Sequence, residues 1–276
     1  MSQNTRNFLN DFYQDVPSAN KKTPATFEKD TEAEAWDSWQ GPVVRPGISR
    51  RTKSALVLLV LLVPAVIYFG LRLGNRHYLV ISLLLLLLAM LPFFMIFEDR
   101  KPQARELIVI AVLVAIGVAS RGAFFMLPQF KPVAAIVIIS GVAFGGEAGF
   151  LVGCMTALVS NIFFSQGPWT PWQMFALGMI GFVAGVFYRL GWLKTNRWSL
   201  CTFGFFSIFF IYGLIMNPAS LLMYSATLDI KALVAIFISG APMDLVHALS
   251  TAIFLGVLAK PFLEKLSRIK KKYGLI

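Results

Sequence analysis

Charge is scarce along most of this 276-residue chain, and so are the side chains of metal and redox chemistry: 14% charged residues, two His and two Cys. Cys154 and Cys201 lie in separate apolar stretches without CxxC spacing, which leaves no disulfide framework and reads them as core residues. An HExxH motif is missing, and Asp244 with His247 lacks the further ligands a zinc enzyme needs, so neither a metal site nor a catalytic residue is expected. A GxxxxGK[ST] phosphate loop is missing too, and any ATP used in the protein's work must be hydrolysed by another polypeptide. An acid and an imidazole at i and i+3 leave acid-base chemistry as a bare alternative. No cofactor is implied.

What the chain has in abundance is apolar surface. With 57% hydrophobic residues and a mean hydropathy of +0.69, the composition fits an all-α, polytopic integral membrane protein rather than a soluble domain. Residues 1–53 are the exception, polar and without a long apolar run, neither a signal peptide nor a core of useful size. They read as a disordered cytoplasmic tail, with Phe8, Phe12, Tyr13, Trp36 and Trp39 as the makings of a docking segment.

Apolar runs of about 20 residues, enough to cross about 30 Å of hydrocarbon, occur at 54–73, 79–97, 107–127, 172–193, 198–224 and 232–258. Between the third and fourth, 133–164 is too long for one ordinary span and is interrupted by Gly145-Gly146-Glu147. Read as a hairpin of two short helices, it gives eight spans with both termini on one side. Sixteen Lys and Arg near the spans then fall on that side, against Arg72, Arg76, Arg121, Lys131 and Lys231 opposite. That distribution obeys the positive-inside rule, whereas a single span would put the basic C-terminus outside. A multi-pass protein of the cell membrane with both termini cytoplasmic follows. The net charge of +11 is then topology and attraction to anionic membrane lipid, not nucleic-acid binding.

This orientation puts outside the chain's most distinctive loop, SQGPWTPWQM at 165–174, with two Pro, two Trp, two amides, two hydroxyls and no charge. Such a loop suits a rigid lid over a small neutral molecule. An interfacial aromatic belt is the plainer reading of Trp169 and Trp172. Small residues repeat along three stretches: Ala111, Ala115 and Ala119; Gly145, Gly149 and Gly153; Gly178, Gly181 and Gly185. Small stripes let another backbone approach closely, which for the glycines means internal packing and for the alanines leaves a partner subunit open.

Residues 105–265 resemble the substrate-specific subunit, or S component, of energy-coupling factor (ECF) vitamin transporters. The resemblance is carried by RGAFFMLPQFKP at 121–132, VAFGGEAGFLVG at 142–153, Ser160-Asn161, GPWTPWQM at 167–174 and Asp244-Leu-Val-His247. It implies a six-helix core (104–265) that binds a vitamin at its outer end and docks on a transmembrane coupling protein served by two cytosolic ATPases. In that family an alanine motif on the first core helix packs on the coupling protein, here Ala111, Ala115 and Ala119. The loops after the first and third core helices close over the cargo, which points to Arg121, Phe125, Gln129 and Lys131 in one and Gln166, Trp169, Thr170, Trp172 and Gln173 in the other. ATP hydrolysis topples the S component to release the cargo inside. This chain departs from the family by two additional transmembrane helices at 54–97, and it ends in a basic cytoplasmic tail at 266–276.

The residues themselves support part of that site. Trp169 and Trp172 offer broad faces with indole donors, and the neighbouring amides and hydroxyls supply neutral partners. Asn161 lies about one turn below the loop, Asn217 precedes Pro218, and Asp244 with His247 sits deep in the last span, where such groups need partners. Asp244 and His247 either lock the bundle or meet the ligand; Arg121 and Lys131 either anchor the loop edge or meet a phosphate or carboxylate. Among family members GPWTPWQM is most like the cobalamin-type subgroup, with riboflavin or another small vitamin as the alternative. An ion-coupled secondary transporter is the rival of a different class, which calls for more intramembrane ionisable groups than Asp244 and His247.

Overall fold

The computed structural model describes residues 57, 78–99, 102–224 and 230–273, and every regular element among them is helical. These are α1 (Tyr78–Asp99), α2 (Ala104–Ala123), α3 (Val133–Phe144), α4 (Gly146–Phe164), α5 (Thr170–Arg189), α6 (Arg197–Ser207), a π-helical turn (Ile208–Gly213), α7 (Leu214–Tyr224) and α8 (Ile230–Tyr273). The expected tail at 1–53, all but residue 57 of the 54–73 span, and residues 225–229 before α8 lie outside the described residues.

Among the described residues, five helical stretches are long and apolar enough to cross a membrane: Ala104–Ala123, Gly146–Phe164, Thr170–Arg189, Arg197–Met223 and Ile230–Tyr273. Beside them stand α1, apolar in sequence over 22 residues, and α3, apolar but only 12 residues long. At 1.5 Å per residue α3 rises about 18 Å, too little for a bilayer. Every one of its residues is buried, so it meets protein rather than lipid.

Local chemistry sets the breaks. Gly145 divides α3 from α4 at φ 95° and ψ 168°, a region open to glycine and closed to side chains. The 133–164 stretch is therefore a helix pair, although an unequal one, because α4 runs 19 residues. Pro171 stands in the first turn of α5, where its missing N–H costs nothing. Asn196 caps α6, its Oδ1 accepting from the Ser199 N–H at 3.1 Å.

The glycine stripes pack inside the bundle. A methyl carbon added at Gly181 of α5 would lie 2.3 Å from the Gly149 carbonyl oxygen of α4, and one at Gly149 would lie 2.6 Å from Gly141 of α3. Three backbones thus meet where any side chain would hold them apart. Gly178 leaves room on the same side for the Phe150 ring. That ring stacks on Phe93 of α1 at 4.0 Å, and Phe93 in turn meets Phe182 edge-on at 4.9 Å. The second additional helix is therefore seated in an aromatic socket on α4 and α5.

At 44 residues α8 rises about 66 Å, roughly twice a hydrocarbon core. The basic residues from 266 onward, set apart in sequence as a tail, continue this helix without a break to Tyr273. Tertiary contacts hold them there: Leu263 and Leu266 are buried, and Lys270 Nζ donates to the Ala143 carbonyl at the end of α3, 2.6 Å away. A lysine on a terminal helical carbonyl satisfies a group the helix itself leaves unpaired.

Candidate functional site

At the opposite end from that basic extension, the ends of α2 and α4 and the start of α5 share one polar network. Arg121 Nη1 donates to Ser160 Oγ and to Asn161 Oδ1, both at 2.6 Å. Asn161 Nδ2 donates to Thr170 Oγ1 at 2.9 Å and Gln173 Oε1 at 2.8 Å. The Thr170 hydroxyl donates in turn to Gln166 Oε1 at 2.8 Å and accepts from the Gly167 N–H at 3.4 Å. Asn161 has no exposed surface and Thr170 almost none, so each hydrogen bond replaces water that cannot reach them.

A second cluster continues inward. Gln173 also reaches the Tyr212 hydroxyl, and the Tyr212 ring meets His247 edge-on at 4.8 Å. One turn on, Asn217 Nδ2 donates to Asp244 Oδ2 at 3.0 Å. Gly213 and Gly240 lie against this pair so closely that a Cβ at Gly240 would stand 2.8 Å from Asn217 Oδ1. Asp244 therefore pairs with Asn217, while His247 turns to the Tyr212 ring. Among the described residues, His247 Nδ1 and Trp172 Nε1 are buried without a hydrogen-bond partner. The Arg121 guanidinium meets neutral oxygens and no carboxylate there. The arrangement gathers the donors of Arg121 and Asn161 and the acceptor oxygens of Gln166 and Gln173 at one end of the bundle, with the Asn217–Asp244 pair beside them.

The 124–132 loop is pinned over this end by aromatics. Phe124 and Phe130 meet Phe254 of α8 at 5.1 and 5.4 Å, and Phe125 stacks on Phe164 at 5.1 Å. Ser250 Oγ donates to the Lys131 carbonyl at 3.1 Å, which holds Lys131 one turn from His247. Burial and then the nearby Arg121 hold the Lys131 ammonium pKa below its usual value. Backbone strain collects at the same end: Ser165 at φ 140° and Gln129 at φ 55° adopt positive values that non-glycine residues rarely take.

Of the residues singled out in sequence, Arg121, Asn161, Gln166, Thr170 and Gln173 form one network, and Asn217 and Asp244 form a pair beside it. Phe125 and Gln129 stay exposed on the loop. Trp169 folds back on its own loop, its ring against Gly167, while Trp172 is half-buried in the first turn of α5. Tyr212 and Ser160 complete the cluster and were not among the expected site residues. A tyrosine in the run FFIYG is one aromatic among many. Only the π-helical turn at Ile208–Gly213, which shifts the register of the helix, singles it out.

Asn161 is the hub. Its replacement by alanine removes three hydrogen bonds together, although Arg121 keeps Ser160, Thr170 keeps Gln166 and Gln173 keeps Tyr212, at about 0.5–1.5 kcal/mol for each bond lost. Thermal unfolding of purified Asn161→Ala, followed by tryptophan fluorescence, is expected to show a Tm several degrees lower; an unchanged Tm would show the network to be solvated and of little weight.

Comparison with known proteins covers the same region. Residues 101–264 match the family model described as ECF-type riboflavin transporter, S component. A UPF0397 protein of Clostridium perfringens is 27% identical over 180 residues, 60% of this chain and 93% of that protein. A UPF0397 protein of Vibrio atlanticus is 35% identical over 85 residues, 28% of this chain and 46% of the relative, so the chain spans about half the length of that one. No solved structure matches.

Proposed function

The chain belongs to the family of ECF-type riboflavin transporter S components, and from that premise we propose that it is the cargo-binding subunit of an ATP-driven vitamin importer. It is a transport subunit of the membrane and not an enzyme. The observation that carries the reading is the polar network in which Arg121, Asn161, Thr170 and Gln173 join three helices at one end of an otherwise apolar bundle. Within a bilayer, polar side chains on facing helices are costly to bury, and a cluster of them is the first candidate for a cargo site. On this reading the network faces outside, the basic end faces the cytoplasm, and eight spans bring both termini inside.

The cargo we place first is riboflavin, ahead of the cobalamin favoured by the GPWTPWQM motif. What favours it is the matching family model, which is the riboflavin one, together with the small size of the polar cluster formed by Arg121, Asn161, Thr170, Gln173 and Gln166. A guanidinium donor at Arg121 and a carboxylate acceptor at Asp244 supply both kinds of partner that the alternating C=O and N–H edge of a flavin ring calls for. ATP hydrolysis falls to two cytosolic partners working through a transmembrane coupling protein.

Equilibrium titration of the purified protein, without partners, separates the cargoes. Riboflavin is expected to bind stoichiometrically and lose its fluorescence. Binding of cobalamin with none of riboflavin would reverse the assignment. Ion-driven accumulation by the protein alone in liposomes would overturn the S-component reading altogether.

A further inference from the structure

Arg121 and Lys131 bring two positive charges to the cargo end, and among the described residues no carboxylate answers either. Arg121 spends Nη1 on Ser160 and Asn161. Its Nη2 and Nε make no hydrogen bond among the described residues, so part of a five-donor fork stays available beside the Phe164 ring, whose centroid is 5.9 Å from the guanidinium carbon. Lys131 is held by its backbone, where the carbonyl accepts from Ser250 Oγ at 3.1 Å. Its half-buried ammonium comes close enough to the Arg121 guanidinium and to His247 for the charges to be felt.

Acids are few enough to account for one by one. Between Glu106 and Glu264 the sequence holds Glu147, Asp229 and Asp244. Glu147 lies in the first turn of α4, at the end of the bundle where Lys270 meets Ala143. Asp229 lies outside the described residues. Asp244 accepts from Asn217, and its charge reaches Tyr212 rather than Arg121 or Lys131. Two cations near each other at the edge of a bilayer are costly without a counter-charge.

We propose that the cargo supplies that charge: the site takes a vitamin bearing a phosphate monoester, held between Arg121 and Lys131. Such a group carries about −1.5 to −2 at pH 7 and presents three acceptor oxygens, a match for two cations, whereas a carboxylate leaves one of them in excess. With Nη2 and Nε both open, Arg121 meets the ring edge through one and a phosphate oxygen through the other, while Lys131 acts as a point charge on the phosphate. Asp244, paired with Asn217, serves the N–H end of the ring. The inference rests on the flavin reading of this same site and narrows it: riboflavin 5′-phosphate is preferred to riboflavin, and Lys131 makes the distinction.

Equilibrium titration of the purified full chain with each flavin, followed by loss of flavin fluorescence, tests it. The phosphate ester is expected to bind about tenfold tighter, as a charge-assisted contact provides. Lys131→Gln brings the two affinities together whatever it does to either alone, and Lys131→Glu reverses their order. Lys131→Arg keeps the charge and with it the preference, so a loss in Lys131→Gln cannot be laid to the loop. Lys231→Gln, which removes an exposed cation at the start of α8, keeps the native ratio and separates local contact from general charge. Equal affinities in the native protein, a ratio that survives Lys131→Gln, or one that falls as far in Lys231→Gln overturns the anionic cargo and leaves the flavin reading standing. Binding of neither flavin overturns that reading and this inference together.

Discussion

Ala111→Leu combined with Ala115→Leu leaves the affinity for cargo within about twofold of native while uptake through the complete transporter falls to background. The expectation follows from the two faces of α2. One buries Ile110, Leu113 and Gly117, with Gly117 pressed so close to Thr156 that a Cβ would meet its methyl at 2.7 Å. The other exposes Ala111, Ala115 and Ala119 in line with Leu107, Ile108 and Val112. In lipid there is no hydrophobic drive for helices to associate, so close backbone approach across small residues is what makes a contact strong. Two leucines on that face hold a partner helix several ångströms away, yet they lie more than a turn from Arg121 and its network. Measuring binding on the isolated protein and uptake with the coupling protein and ATPases present gives the contrast. Uptake at native rates would mean that this face meets lipid, where leucine is as welcome as alanine.

Gly181→Val is expected to abolish the folded protein rather than its transport. A Cβ at that position would lie 2.3 Å from the Gly149 carbonyl oxygen and 2.9 Å from the Val137 side chain. Because the first obstacle is backbone, neither helix can yield by a rotamer change; α4 and α5 must separate and take α3 with them. Overpacking ordinarily costs about 1–3 kcal/mol, and a backbone collision at a three-helix junction exceeds that range, enough to exhaust the stability of a marginal fold. Gly191→Ala is the matched control: it stands in the turn after α5 with open space around it and pays only for its φ of 78°. Monodispersity on size-exclusion chromatography and recovery from the membrane should fall for the first and hold for the second. A monodisperse Gly181→Val protein with native Tm would mean that the three backbones are not in contact.

Much of this molecule was legible before its coordinates, because a bilayer restricts what a chain can do. Apolar runs of membrane length gave the helices, and Gly145 announced the break within 133–164, since only glycine takes its backbone angles. The site was legible in parts. GPWTPWQM and Asn161 stood out as polar groups against apolar sequence, and they do meet. Tyr212 did not stand out, being brought inward by a π-helical turn that leaves no mark in composition. Trp169, which reads in sequence as part of a lid, has its ring against Gly167, because three residues of loop are enough for a large ring to fold onto its own backbone.

Composition and apolar run length therefore determined the class of this protein and most of its described helices, since these depend on the free energy of single segments in lipid, while the family rested on the resemblance of its motifs. Pairings were decided only by the tertiary structure. Asp244 joins Asn217 rather than His247, Lys270 reaches the end of α3 from 127 residues away, and Phe93 of an additional helix fits the socket beside Phe150. Each of these depends on which side chain a neighbouring helix presents at a given height, and helix rotation and register are set by close packing across Gly141, Gly149 and Gly181, which no one segment contains.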